Sequence, residues 1–321
     1  MRKLLGWLFV VVLAACLGSA RAQDYPNRPV RIMVPYAAGG APDVLARVIG
    51  QRLSDSLGQQ FLVENRPGAG GVAATLAVAK SPADGYTLLV PDISQLAINP
   101  FLFSNLPYDS VTDLAPVSLV ATIPLYLVAQ PSLGVNTLPE LVALVKSKPG
   151  QLSYGSAGIG SLHHILMESF NAALGLQIVH VPYKGSGQSV PAFVGGELPL
   201  LVTALTAVGA HVKSGKGKLI AVSSGRRSAQ TPDVPSIAEL VPGYDFSSEF
   251  GLLAPARTPP AIVAKLAGEV VKALKHPDTM QRLAPMGMDL VGSSPEAYAE
   301  NIRRNLERFS KAVKISGAKA D

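Results

Sequence analysis

Two runs of small residues in this 321-residue chain have the makeup of anion-binding turns. The first is V-P-Y-A-A-G-G-A-P-D, residues 34–43; the second is Y-G-S-A-G-I-G-S-L-H-H, residues 154–164. Each follows an apolar strand-like run and leads into a helical pattern. A helix start presents unpaired amides and a partial positive charge of about half a unit, which favours an anion. Glycine there lets the backbone come close to a ligand. The candidate contacts are Tyr36, Ala37, Ala38, Gly39 and Gly40 in the first turn, and Ser156, Gly158, Ile159, Gly160 and Ser161 in the second. Ser161 has the type and place of an N-cap. Asp43 falls in the first helical turn; its charge would repel an anion, so amide capping suits it better than ligand contact. For either turn alone, ligand binding and plain chain reversal are equally good accounts. Two such turns across a cleft would clamp a ligand with two carboxylates, or with one carboxylate and a polar end.

Four further residues stand where side chains could add contacts. Ser94 and Thr203 follow or close strand-like runs. His164 lies near the second helix start, where it could donate to a ligand or make a structural hydrogen bond. Lys184, in V-P-Y-K-G, could pair with a carboxylate. Other motifs fail on context. Residues 68–73 fit G-x-G-x-x-A but follow E-N-R-P, not a strand running into the turn. No G-x-x-x-x-G-K-[ST] occurs. Tyr154 stands where a nucleophile elbow needs glycine, two places before Ser156. His163-His164 lacks metal-ligand spacing, and the other three of the five histidines are scattered. Neither a catalytic set, a metal nor a cofactor is expected.

The elements that must hold these turns alternate strand and helix almost throughout, which implies α/β layers. Strands are expected at 30–35, 61–63, 86–90, 125–129, 152–155, 178–181, 198–202, 219–223 and 250–254. Helices follow at 45–57, 72–80, a start at 137–140, 162–174, 187–194, 205–213, 260–274, 278–286 and 295–315. Residues 224–247, rich in Ser, Pro, Asp and Gly, read as a connection. The economical division is a leader over 1–22, one domain of 23–122 with 226–321, and a second of 123–225.

The leader has a basic start at Arg2 and Lys3, an apolar run over 4–17 and an A-x-A site before Gln23. A run of that length is short of the ~20 residues of a membrane span. Export to the periplasm follows, by cleavage after Ala22 or, as the lesser alternative, by lipidation at Cys16, the one cysteine. Removing three leader cations from 28 basic residues leaves 25 against 22 acids, a net of +3, too mild and dispersed for nucleic acid.

Taken together, Y-P-N-R-P-V-R, V-P-Y-A-A-G-G-A-P-D, V-E-N-R-P-G-A-G-G, D-G-Y-T-L-L, N-P-F-L-F-S-N-L-P-Y-D, Y-G-S-A-G-I-G-S-L-H-H, H-V-P-Y-K-G and P-D-V-P-S-I-A-E-L, in that order, resemble the Bug family. These are periplasmic substrate-binding proteins, the solute receptors of tripartite tricarboxylate transporters. The resemblance implies an α/β, two-domain periplasmic binding protein fold, type II-like, a Venus flytrap with the ligand cleft between domains. It implies a small carboxylate ligand, held through the loop matching Tyr36 to Gly40 by backbone amides and water, with the loop matching Ser156 to Ser161 opposite. It implies a two-subunit membrane permease as partner, no catalysis, and a monomer.

The chain departs from the family pattern at Gln188-Ser189, where proline-alanine is usual, and at Ala192, Pro199 and the stretch 202–205, where acids are usual. Loss of second-domain acids favours a purely anionic di- or tricarboxylate or an aromatic carboxylate over an amino acid. Two alternatives remain open at this level: an exported enzyme on a similar frame using His164, Ser161 or Lys184, and a receptor that presents ligand to a sensor.

Overall fold

The computed structural model describes residues 25–319; the expected leader, with Cys16, lies outside them. Strands β1 (Val30–Val34), β2 (Phe61–Asn65) and β3 (Thr87–Leu89) alternate with helices α1 (Ala41–Leu57) and α2 (Val72–Ala79). Both β2 and β3 pair with β1 in parallel. Val30, Ile32, Met33 and Val34 have no exposed surface, as strands covered on both faces require.

The pattern repeats in a second lobe. Strands β5 (Leu152–Ser156), β6 (Ile178–Pro182) and β7 (Leu200–Ala204) alternate with α5 (Leu162–Leu174) and α6 (Ser186–Val194). Here β5 pairs with β6 and β7 in parallel. Helix α4 (Leu138–Ser147) precedes β5; α7 (Leu205–Lys213) and β8 (Lys218–Val222) follow β7.

One strand belongs to both sheets. β4 (Leu114–Ala129) runs 16 residues. Its first part pairs antiparallel with β9 (Ser247–Pro255) and the short β10 (Asp289–Leu290); residues 125–129 pair with β7 and β8. The sequence reading found only 125–129. Pro116 and Pro124 interrupt the rest of it, and proline lacks a ladder donor and argues against a central strand. The structure accommodates Pro116 at a register shift and Pro124 opposite Ser247, at the end of β9.

Before β4, the chain makes a wide-turned helix over Ser94–Ile98 and a short α3 (Asn99–Leu102). After β9 come α8 (Pro260–Lys275), α9 (Pro277–Leu283) and α10 (Pro295–Ser316). Ser294 caps α10 by accepting the Ala297 amide at 3.2 Å. Its early turns bury Tyr298 and Ile302 with Met33 and Leu253 of the first lobe. Its late turns bury Phe309, Ala312 and Val313 with Phe170 and Tyr154 of the second. Full burial of such side chains contributes about 1.5–3 kcal/mol each. The expected connection over 224–247 also packs on the second lobe, through Ile237, Tyr244 and Phe246.

Candidate ligand-binding site

The first turn leaves β1 at Pro35 and enters α1 behind the N-cap Gly40, which has no side-chain cap. Tyr36 is half-buried, whereas Ala37, Ala38, Gly39 and Gly40 are exposed. Gly39 has φ +87°, the left-handed region that favours glycine. Its amide donates to Asp43 Oδ2 at 2.8 Å. The amides of Ala37 and Ala38 take no partner among the described residues.

Asp43 is turned inward, only 2% exposed. Besides Gly39, it accepts from Asn65 Nδ2 at 2.9 Å and Arg47 Nε at 3.1 Å. Burial pushes its carboxyl up, but the bonds from Arg47, Gly39 and Asn65 outweigh this and hold it below the usual carboxylate range. Asp43 therefore shapes the turn, and its oxygens are spent on the protein. Asn65 also donates to the Tyr36 carbonyl at 3.0 Å, tying β2 to the same turn.

The Tyr36 hydroxyl meets Gln95 Oε1 at 3.2 Å and Nε2 at 3.0 Å. Gln95 Nε2 reaches the Gly70 carbonyl at 2.8 Å, and its Oε1 accepts the Asp92 amide at 3.0 Å. Ser94, expected as a hydroxyl just past a strand, instead opens the wide-turned helix and is half-buried. Its amide donates to Asp92 Oδ1 at 2.6 Å.

The second turn is built from the inside. Ser156 is fully buried; its Oγ accepts the Gly158 amide at 3.0 Å and lies 2.6 Å from His180 Nε2. The hydroxyl also lies 3.3 Å from the Gly158 carbonyl, so its proton has two acceptors within reach, that oxygen and an unprotonated imidazole nitrogen. Gly158 and Gly160 have φ +124° and +74°. Ser161 is the N-cap of α5, as expected: its Oγ accepts the His164 amide at 3.3 Å and donates to the Gly158 carbonyl at 2.6 Å. His164 is 6% exposed, and its Nδ1 accepts the Gly160 amide at 3.2 Å. The amides of Ala157 and Ile159 take no partner among the described residues, and the Ile159 side chain is exposed.

Rings stack beneath this turn. His164 lies 4.0 Å from His180, and Tyr154 covers the other histidine at 5.0 Å, centroid to centroid. Parallel pairing sets Tyr154 beside His180. Burial, then the neighbouring His164, push the His180 imidazole down to about 4. Burial alone pushes His163 down to about 4. Burial lowers His164 too, against the pull of Glu168. An unfolded histidine takes its proton near 6.5. The folded state thus binds fewer protons than the unfolded one between about pH 6.5 and 4, and stability is lost as pH falls through that window. The thermal midpoint is expected to drop from pH 7.5 to pH 5, and less steeply in His180→Gln; equal slopes would refute a protonation-sensitive stack.

Two remaining candidates do not join either turn. Thr203 is fully buried, its Oγ1 3.5 Å from Ser186 Oγ. Lys184 is exposed, and its ammonium has no ion-pair partner among the described residues. The side chains of Asp43, Ser156, His164 and Thr203 are buried, and the Asp43 oxygens, Ser156 Oγ and His164 Nδ1 bond to protein atoms. Sequence reasoning missed Asn65, Asp92, Gln95 and His180. Asn65 and His180 sat in quoted motifs, but the His180 partner, Ser156, is 24 residues away in sequence.

The second turn approaches α3 through Gly160. A Cβ built there would stand 2.9 Å from Leu102 Cδ1, at the end of α3. Among the described residues no group of three or more His, Cys, Asp or Glu could hold a metal ion. No helix of theirs is long and apolar enough to cross a membrane.

Comparison with known proteins bears on this arrangement. Residues 45–317 match the family model described as tripartite tricarboxylate transporter family receptor. Protein BugT of Bordetella pertussis is 38% identical, with 99% of each chain covered. The solved structure of R. palustris Rpa4515 with adipate is 34% identical with a TM-score of 0.79, covering 92% of this chain and 99% of that one. MatC of Rhodopseudomonas palustris with bound malate is 31% identical with a TM-score of 0.74, covering 90% and 100%. The fold is thus that of a two-domain periplasmic binding protein with its cleft between the lobes. The chain belongs to the tripartite tricarboxylate transporter receptor family and is a solute-binding receptor of the Bug type.

Proposed function

We propose that this receptor captures a small carboxylate between a lobe of residues 25–122 with 226–319 and a lobe of residues 123–225, and delivers it to a two-subunit membrane permease. The reading rests on one observation. Each lobe presents a glycine-bearing turn at a helix start with unpartnered amides, at Ala37 and Ala38 on one side and Ala157 and Ile159 on the other. Amides need no ionisation to bind, so affinity follows the charge of the ligand and falls below the ligand's own pKa, near 4. Only the closed form meets the ligand from both sides, so binding shifts the molecule toward closure. The relatives crystallised with adipate and malate supply the first ligands to try.

Periplasmic residence follows from the leader expected over residues 1–22, and the working form is a monomer that binds no nucleic acid. The enzyme alternative has one pair in its favour, Ser156 and His180 at 2.6 Å. That hydroxyl is fully buried, which speaks against its meeting a substrate. A thermal-shift screen of mono-, di- and tricarboxylates at pH 7.5 tests the proposal. A ligand at 100 times its Kd stabilises by about 2.7 kcal/mol, a readily measured shift. No shift with any carboxylate would overturn it, as would turnover of a bound one.

A further inference from the structure

Glu249 stands where the chain passes between the lobes. The Phe246 amide donates to the Ser223 carbonyl, just past β8 of the second lobe, at 2.8 Å. One residue on, Ser247 lies opposite Pro124, and Glu249 is already opposite Thr122 in the first-lobe sheet. Glu249 is 8% exposed. Its Oε2 accepts from Asn305 Nδ2 of α10 at 2.7 Å, and from Asn301 Nδ2 as well. Its Oε1 lies 3.8 Å from Arg308 Nη2.

Arg308 forks across this passage. Nη2 also donates to Asn305 Oδ1. Nη1 donates to the Asp245 carbonyl and lies 3.5 Å from Asp245 Oδ2. Asp245 sits between Tyr244 and Phe246, which pack on the second lobe. One guanidinium thus holds an acid on each side of the passage, and a change in the angle between the lobes must alter at least one arm. Space for that change exists. A cavity of about 450 Å³ borders Asp245, Asn305 and Arg308, and one of about 400 Å³ borders Asp245, Glu249 and Asp289. The second cavity also shows which other charges face Glu249. Asp289 comes from β10, and Arg226 and Arg227 from the stretch after β8; Arg227 is engaged by Glu239 at 2.7 Å. The Tyr298 hydroxyl of α10 is near as well. β4 contributes Leu119 and Thr122, neither of them charged.

A carboxylate taken out of water keeps its charge only where donors and a cation hold it well. Arg308 spends its closer contacts on Asp245 and Asn305, which leaves Glu249 the longest arm. Burial pushes Glu249 up to about 7, against Asn301, Arg308 and Asn305. A protonated Glu249 can still accept from the asparagine amides, but its attraction for Arg308 is gone. The effect on stability opposes that of the histidines. An unfolded glutamate titrates near 4.3, so the folded state holds the extra proton from about there to 7, and stability is lost as pH rises through that window. One such group against two histidines pushed down to about 4 leaves acid the less stable side.

We propose that Glu249, Arg308 and Asp245 form a proton-sensitive clasp on the passage between the lobes, in which a proton on Glu249 frees one arm of Arg308 and shifts the balance of open and closed forms. The clasp lies outside the two ligand turns and acts whichever carboxylate is bound. Coupling of this kind is reciprocal: if protons move the lobes, ligand-driven closure moves protons.

The chain from Gln23 onward has no cysteine. Gln51→Cys on α1 and Lys146→Cys on α4, both exposed, can therefore carry spin labels that report the distance between lobes. Without ligand, the distance distribution should shift between pH 6 and 8 with a midpoint near 7. Glu249→Gln and Arg308→Gln should each abolish the shift. An unchanged distribution in the labelled parent would overturn the proposal without any variant having to fold. So would a shift that persists in full in Glu249→Gln. With a dicarboxylate retained by the screen, calorimetry from pH 6.5 to 8 in phosphate and in Tris counts the protons exchanged on binding. The wild type should exchange a fraction of a proton, and its affinity should change about 3-fold or more over that range; one whole proton gives about 10-fold per pH unit. Glu249→Gln should exchange none, and zero exchange in the wild type would also overturn the clasp. A blank screen would sink the receptor reading alone, since the spin labels decide the clasp without ligand.

Discussion

Gly160→Val is expected to weaken carboxylate binding by about 100-fold, or roughly 2.7 kcal/mol, while the protein stays folded. Three effects coincide at this residue. Its φ of +74° lies in the left-handed region, where a non-glycine residue costs roughly 1–2 kcal/mol and a branched one more. Its amide holds His164 Nδ1 at 3.2 Å, so a shifted backbone releases the imidazole that supports the turn. A Cβ would also stand 2.9 Å from Leu102 Cδ1, wedging the second turn away from α3. The steric part is separable. Leu102→Ala in the same chain should recover some of the lost affinity, because contacting residues do not act additively. Gly39→Ala is the informative contrast, since its Cβ meets nothing within 4 Å and only the φ of +87° opposes it. Calorimetry with the best ligand from the carboxylate screen measures all three. Unchanged affinity in Gly160→Val would remove this turn from the site.

Gly251→Ala is expected to be the most damaging single methyl addition to stability. Gly251 lies on β9 opposite Leu119 of β4. A Cβ there would collide with the hydroxyl and Cζ of Tyr298, which α10 packs against this sheet. Tyr298 is 1% exposed and has no room to retreat. Overpacking usually costs about 1–3 kcal/mol, and a contact this short belongs at or above that upper end. A domain holds only about 5–15 kcal/mol in all. Urea titration should show a large drop in midpoint, or no folded protein at all. Tyr298→Leu in the same chain should restore part of it, because it removes the atoms in collision. A midpoint within error of wild type would mean that α10 does not sit here in solution.

The sequence made some of this legible and hid the rest for physical reasons. The glycine turns, the N-cap Ser161 and the inward role of Asp43 follow from rules about neighbours three or four residues apart. The strand β4 did not, because Pro116 and Pro124 carry the marks of strand ends although the chain continues through both. The support under the second turn was invisible because Ser156 meets His180 only through the parallel register of β5 and β6. Gln95 went unnoticed for a similar reason, since it meets the Tyr36 hydroxyl and the Gly70 carbonyl 59 and 25 residues away in sequence.

The last helix carries a consequence for how cargo enters. At 22 residues it is a rod of about 33 Å, bolted at one end by Tyr298 and Ile302 and at the other by Phe309 and Val313. It acts as a splint laid across the joint. A splinted joint does not swing wide unless one bolt pulls out of a close-packed seat, and such seats give way in discrete steps. The jaws are therefore suited to slide past each other in small increments, as in shear, rather than to gape. Cargo passes through a crevice, and the time it stays inside is governed by the bolts as much as by the turns that hold it.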